Sequence, residues 1–510
     1  MFDREVLPAF LSRMRWFEEH EQPAISASVA AVVPFADHSD TTAVPWLAIV
    51  DTHKPQVGRY LIPMQIDWTK FDRERFNPNA LAAVRQGSRE GTLLDIATSP
   101  AFVSLLLDNM RNNASTEAFD YRLEFSATGP LAEKPLDRPW TVWPIEVGHA
   151  STTLQVDDKY IVKLQRRLEI GVDPGIEVGS FLTGVAGFAH TPALLGTVKL
   201  VRGSERTAVG SVHAFVQNQG DAWAVTVSYL DRFIDEQNLP GATPSARDSD
   251  ERTSYQRYME LTGRRVAEMQ TALASRDDIE DFRPVQATPD DLRHLIDNAV
   301  RLAERTFERI HKERRWLPEA DQALASQVGD AAPAIRACLR RLLPASCDWM
   351  NIRHHGDLHL AQILVVKDDI SIINLEGSPN LPLEDRRQKA PAARDVATLI
   401  RSIDYSVEAT FERTRKVRAD DPGKLRSMLD GWRAQSITTF LDAYRASLKD
   451  ERLWPADTKS RARMLRFFQI EKALQEIDHE LTHRPDWARL PLTALLRLID
   501  DSQAADAPFA

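Results

Sequence analysis

The chain has 510 residues, 43% of them hydrophobic and 27% charged, with a formal net charge of −10. Such a length is more than one core usually serves, so two or three domains are expected. The acidic balance argues against a nucleic-acid partner, because no basic excess is present to neutralise phosphates. The most apolar early run, Ala24 to Ala36, is too short to span a bilayer. The opening MFDREVLPAF carries charge and no long apolar stretch, and Cys338 and Cys347 have no metal-ligand neighbours. A cytoplasmic protein with reduced thiols is the expectation.

In chain order, LPAFLSRMRWF reads as a short helix with an aromatic end. Three runs rich in Val, Ile and aromatics follow, AISASVAAVVPFA, TTAVPWLAIVDT and GRYLIPMQIDW, and predict an antiparallel sheet. Residues 79–114 read as helices, and AFDYRLEFSAT as a strand. A second strand-rich block runs from Trp140 to Leu230, interrupted by one helical segment, DPGIEVGSFLTGV. Glu236 to Ser254 is rich in turn and charged residues and reads as an exposed loop. Beyond it the chain is mostly helical. Near the end, Phe467, Ile470, Leu474, Ile477 and Leu481 recur at helical spacing, which predicts one buried stripe on a long helix.

The chemistry concentrates in Arg353-His354-His355-Gly356-Asp357-Leu358-His359-Leu360-Ala361-Gln362, followed by ILVV, a KDD turn, and ISIINLEG. This is a loop, a strand, a turn and a second strand. Phosphoryl transfer to a hydroxyl needs a carboxylate to orient that hydroxyl, and oxygen ligands for a metal ion on the phosphates. Asp357 fits the carboxylate. Gln362, five residues on, offers a neutral carbonyl where a kinase catalytic loop carries Asn. Asn374 and Glu376 follow the second strand, where kinases carry the metal-binding Asp.

The stretch HHGDLHLAQILVV…IINLEGSPNLPLEDRRQKAPAARDVATLIRSIDYS resembles the catalytic segment of the maltokinases, ATP-dependent enzymes with an aminoglycoside-phosphotransferase-like fold. LPAFLSRMRWF, YIVKLQRRLEIGVDPGIEVGSFL, FVQNQGDAW and EKALQEIDHELTHRPDWARLPL resemble other parts of that family in the same order. The resemblance implies an α+β, bilobal protein-kinase-like fold. It divides the chain into an N-terminal cap (1–130), a small strand-rich lobe (131–230) and a mostly helical lobe (231–510). It implies ATP and Mg²⁺ or Mn²⁺ as cofactors, maltose as acceptor, and a trehalose synthase as partner.

The same resemblance assigns roles. Lys163 neutralises nucleotide phosphates and Glu177 pairs with it. Ser151, Thr152 and Thr153 donate to phosphate, although no glycine-rich loop is present, and Phe215 and Val216 frame adenine. Arg394 and Asp395 form an ion pair behind the catalytic loop. Lys472, Glu476, His479 and Trp487, with His359 of the loop, line the sugar site. The family usually reads Asp-Phe-Glu-Gly-Glu-Pro where this chain has Asn374-Leu375-Glu376-Gly377-Ser378-Pro379, and it carries Tyr residues where this chain has Gln475 and His479. These departures leave two further readings open. One is a kinase for an amino sugar such as glucosamine, its ammonium held by Glu376, Glu476 or Glu480. The other is a catalytically impaired binding protein.

Overall fold

The computed structural model describes residues 2–17, 26–35, 44–54, 57–69, 77–133, 139–145, 150–237, 246–344, 346–417 and 421–504. Contacts divide it into two compact units: residues 1–183, 192–217 and 382–384 form one, and residues 184–191, 218–381 and 385–510 the other.

The first unit is built on two antiparallel sheets. A π-turn over Phe2–Val6 and α1 (Leu7–Leu11) precede β1 (Ser26–Pro34), β2 (Trp46–Lys54), β3 (Gly58–Asp67), β4 (Ala80–Gln86) and β5 (Arg89–Asp95). These five strands form a sheet in the order β1-β2-β3-β5-β4. Then come α2 (Pro100–Arg111), β6 (Ser115–Ala118), β7 (Tyr121–Ala127), α3 (Gly129–Glu133), β8 (Val142–Ile145), β9 (Ser151–Val156), β10 (Tyr160–Gln165), α4 (Pro174–Ser180), β11 (Leu194–Arg202) and β12 (Glu205–Ala214). The second sheet has seven strands in the order β6-β7-β11-β12-β10-β9-β8.

One expectation changes here. Residues 80–95 form the β4–β5 hairpin rather than a helix, turning at Gly87 with φ +63°. The helical reading of 79–114 holds only for α2. Residues 1–130 also share a unit with the strands that follow. The reason is that β6 and β7 pair into the second sheet, and that one apolar cluster draws on both sheets, Val33, Leu47 and Leu61 joining Leu123, Val162 and Val198. A buried polar clasp reinforces this. Arg166 donates to Asp95 at 2.8 Å, to the Thr152 hydroxyl at 2.8 Å and to the Leu61 carbonyl at 3.3 Å. A buried pair of this kind holds register, because removing either partner strands the other's charge.

The second unit is mostly helical: α5 (Ala222–Gln237), α6 (Ala246–Leu273), α7 (Pro289–Glu313), α8 (Glu319–Asp330), α9 (Ala332–Leu342), α10 (Leu383–Arg386, which straddles the boundary between units), α11 (Ala393–Val417), α12 (Pro422–Ser447), α13 (Thr458–His483) and α14 (Arg489–Ala504). Short strands interrupt them: β13 (Val285–Gln286), β14 (Met350–Ile352), β15 (Ile363–Val365), β16 (Ile370–Ile372) and β17 (Ala390–Pro391). α6 begins inside the segment read as an exposed loop. Its polar composition hid the helix, and residues 238–245 of that segment lie outside the described residues. The predicted stripe is present on α13, with Phe467, Ile470, Leu474, Ile477 and Leu481 all buried. Among the described residues, no helix is long and apolar enough to cross a membrane.

Candidate active site

The loop between β14 and β15 is held from below by α11. Asp395, in the first turn of α11 and 1% exposed, accepts hydrogen bonds from the backbone N–H of His355 at 2.9 Å and of Gly356 at 3.0 Å. The Asp395 carboxylate therefore fixes the two residues before Asp357. The predicted ion pair of Arg394 with Asp395 does not form; Arg394 reaches across to Glu471 on α13, at 3.0 and 3.1 Å. The two side chains leave the helix in different directions, so each is claimed by its own neighbour.

His355 is the second anchor. Its Nε2 lies 2.9 Å from the Ile373 carbonyl, which can only accept, so Nε2 carries the hydrogen. Nδ1 then accepts from the Asp357 N–H at 3.3 Å. Gly356 has φ +83°, and a Cβ there would lie 3.1 Å from the Gly377 Cα. Glycine is required at 356 on both counts, conformation and close approach of the 374–377 loop.

Asp357 is half-buried, and Lys472 of α13 donates to its Oδ1 at 3.0 Å. Burial opposes the charge, but the Lys472 ammonium and the neighbouring imidazoles of His359 and His355 outweigh it and bring the carboxyl down to about 2. His359 Nε2 lies 3.7 Å from Asp357 Oδ2 and 3.2 Å from Gln362 Nε2. Burial pulls His359 down to about 4, against the attraction of Asp357, so the ring is neutral near pH 7 and forms no ion pair there. Gln362 Oε1 accepts from Asn374 Nδ2 at 2.7 Å. The result is one continuous polar chain from Lys472 through Asp357, His359 and Gln362 to Asn374. β15 and β16 hold its far end in register, and the Ile373 N–H donates to the Gln362 carbonyl at 2.9 Å.

α13 forms the wall of a cleft of about 1380 Å³, and Asp357, His359, Lys472, Glu476, His479 and Trp487 all line it. Glu476 accepts from the fully buried Arg401 of α11 at 2.6 Å. Burial pushes the Glu476 carboxyl up, against the pull of Arg401 and Lys472. Arg401 also binds Asp404, which Arg433 and Arg497 share, so the wall is tied by ion pairs into α12 and α14.

Two residues of the cleft, Tyr405 and Trp223, were assigned no role from the sequence, and a third was assigned only a conditional one. Tyr405 of α11 stacks on Trp487, with ring centroids 6.3 Å apart and planes 6° apart, and Trp223 of α5 packs against Tyr405 at 5.9 Å. Glu480, considered only as an ammonium partner, is 2% exposed; its Oε1 takes the Tyr405 hydroxyl at 2.9 Å and Arg484 at 2.7 Å. Its Oε2 is buried and has no hydrogen-bond partner. Burial pushes this carboxyl up, opposed by Arg484 and by the Tyr405 hydroxyl. Trp223 ends the FVQNQGDAW segment, Tyr405 lies in IRSIDYS, and Glu480 falls one helical turn after Glu476.

The remaining predicted residues lie in the first unit. Lys163 sits on β10, opposite Ser211 of β12 and Thr153 of β9. Glu177 is in α4, whose N-cap Asp173 accepts from the Ile176 N–H at 3.0 Å. Ser151, Thr152 and Thr153 begin β9; Thr153 is buried, and the Thr152 hydroxyl oxygen accepts from Arg166 at 2.8 Å. Phe215 and Val216 follow β12, with the Phe215 N–H bonded to the Lys159 carbonyl at 2.8 Å.

A divalent ion on nucleotide phosphates requires oxygen ligands, preferably carboxylates. Here the two side chains at the expected position, Gln362 and Asn374, are neutral and bonded to one another, and Asp357 is taken by Lys472. Among the described residues no cluster of three or more His, Cys, Asp or Glu could hold a metal ion. The residues present do not fit a preformed, carboxylate-lined metal site; Glu376 is the one acidic side chain in the 374–377 loop.

No family model matches the chain. Curated relatives include the glucosamine kinase of Streptacidiphilus jiangxiensis, 26% identical over 371 residues, which are 70% of this chain and 73% of that protein. The glucosamine kinase of Mycolicibacterium smegmatis is 26% identical over 366 residues, 70% of this chain and 79% of that protein. A solved glucosamine kinase in complex with glucosamine, ADP and inorganic phosphate superposes with a TM-score of 0.63 at 20% identity, over 97% of this chain and 98% of that one. A second crystal form of a glucosamine kinase gives 0.65, over 98% and 99%. The fold is that of the glucosamine kinases. The α+β, kinase-like architecture expected from the catalytic loop is thus present along nearly the whole chain.

Proposed function

We propose that the protein is an ATP-dependent sugar kinase whose acceptor is a hexosamine of the glucosamine type. The observation that carries this reading is the Asp357 carboxylate, ionised and aimed into the cleft beneath the polar face of α13. Two curated relatives, both named glucosamine kinases, support the class of reaction and the acceptor.

Asp357 accepts the hydrogen of the acceptor hydroxyl and aims its oxygen at the terminal phosphoryl group of ATP. Its low basicity suits a loose transition state, in which orientation counts for more than early proton removal. Lys472 keeps the carboxylate ionised, and Asp395 and His355 hold its backbone. Lys163 is assigned to the nucleotide phosphates and Glu177 to orienting that lysine. The stacked Tyr405–Trp487 pair offers an apolar face for a sugar ring. The buried, unpartnered Glu480 Oε2 favours a cationic donor, which a 2-ammonium group supplies and a neutral sugar lacks. Maltose, the acceptor implied by the sequence resemblance, has no ammonium to offer that oxygen.

The test is ADP release from ATP with Mg²⁺ or Mn²⁺ and a panel of glucosamine, glucose and maltose. Turnover highest with glucosamine is expected. Faster turnover with maltose would transfer the reading to the disaccharide. No sugar-dependent ADP, with ATP still raising Tm, would make the chain a nucleotide-binding protein rather than a kinase.

A further inference from the structure

We propose that nucleotide binding to this chain does not depend on a divalent ion, because the Gln362 and Asn374 amides, at the place of the metal-binding pair, are hydrogen-bonded to one another. The inference rests on the sugar kinase reading for the nucleotide and for its place beside these amides, and on the structure for the bond between them.

The amide pair is built into the loop. Asn374 Nδ2 gives a hydrogen to Gln362 Oε1 at 2.7 Å. Whichever way the two amides are turned, one carbonyl oxygen of the pair accepts from the other's NH₂ and has one lone pair left. The other end of the Gln362 amide meets His359 Nε2 at 3.2 Å, so both its ends are engaged. Asn374 has φ +59°, a left-handed conformation that Asn adopts more readily than most residues. The backbone bond from Ile373 N–H to the Gln362 carbonyl, at 2.9 Å, fixes the two segments side by side.

The charge at this place also differs from that of a carboxylate pair. An Asp at 374 would repel the polyphosphate unless a dication lay between them. Asn removes that repulsion and, with it, the ligand that a hard cation prefers. Asp357 does not substitute, since the Lys472 ammonium neutralises it at 3.0 Å. Metal-free ATP therefore meets less repulsion here, and free metal meets less attraction.

Calorimetric titration of ATP in EDTA and in Mg²⁺ tests this on the full chain. The wild type is expected to show less than about fivefold difference in Kd between the two conditions, and N374D at least about tenfold tighter binding with Mg²⁺. A wild-type preference of about fivefold or more for the Mg²⁺ condition overturns the proposal. So does a folded N374D that behaves as the wild type. In a second arm, Mn²⁺ is added to the nucleotide-free wild type and read by electron paramagnetic resonance. No bound Mn²⁺ is expected up to about millimolar concentration, and tighter binding overturns the proposal. This arm and the wild-type titration decide the matter if N374D fails to fold. If the wild type binds ATP under neither condition, the kinase reading fails, and the Mn²⁺ arm alone judges the amide pair.

Discussion

Replacing Asp395 by Asn isolates the contact that holds the catalytic loop. The carboxylate accepts two backbone hydrogen bonds, from His355 at 2.9 Å and Gly356 at 3.0 Å, at a position 1% exposed. A hydrogen bond to a charged acceptor contributes about 1.5–3 kcal/mol. Asn keeps one carbonyl oxygen and turns an NH₂ toward the second N–H, so one bond is lost and two donors face each other. Asp395 also lies in the first turn of α11, where a negative charge is favoured by about 0.3–1 kcal/mol. The expected loss is therefore about 2–4 kcal/mol, read as a lower urea midpoint at unchanged slope. Because Asp357 directly follows Gly356, kcat should also fall, by about tenfold for each 1.4 kcal/mol of lost orientation, while the KM for ATP stays the same. Stability within about 0.5 kcal/mol of wild type, together with an unchanged kcat, would refute this role for Asp395.

Other outcomes follow from the same geometry. Lys472→Met removes the ammonium that brings Asp357 down to about 2, so the acid limb of the pH–kcat profile should move up to or beyond about pH 4, the ordinary carboxylate value. A depressed carboxyl contributes stability above its unfolded pKa and loses it as pH falls toward the folded value. The variant should accordingly lose stability at neutral pH and little near pH 2; a profile identical to wild type would count against the pairing. Trp487→Ala removes one of the stacked rings and should raise the sugar KM by about two- to twelvefold, from about 0.5–1.5 kcal/mol of ring contact, with the KM for ATP unaffected. Glu480→Gln should raise the KM for glucosamine more than that for glucose, because it takes the charge from the oxygen assigned to the ammonium; equal effects on both sugars would argue for a purely structural Glu480.

The catalytic loop was legible because its signal is local. Asp357, the amide at 362, the β15–β16 hairpin and Asn374 lie within eighteen consecutive residues, and their spacing alone brings them together. The buried stripe of α13 was legible for the same reason, since a periodicity is a local property. What failed were choices made by distant partners. Residues 80–95 contain ALAAVRQ, a good helix by composition, yet pairing with β3 and the Gly87 turn make it a hairpin. Arg394 and Asp395, adjacent in sequence, look like an ion pair until Glu471 and the loop amides claim them separately. The Lys472–Asp357 contact spans 115 residues and the Tyr405–Trp487 stack joins two helices, so neither could be read from spacing.

The role of Asp357 is tested most directly by Asp357→Asn, assayed for glucosamine-dependent ADP release alongside glucosamine binding by calorimetry. A general base and orienting carboxylate predicts a loss of turnover of about 10²-fold or more, with sugar affinity retained in a folded variant whose Tm falls because Lys472 loses its partner. Turnover within a few-fold of wild type in the folded variant would contradict it.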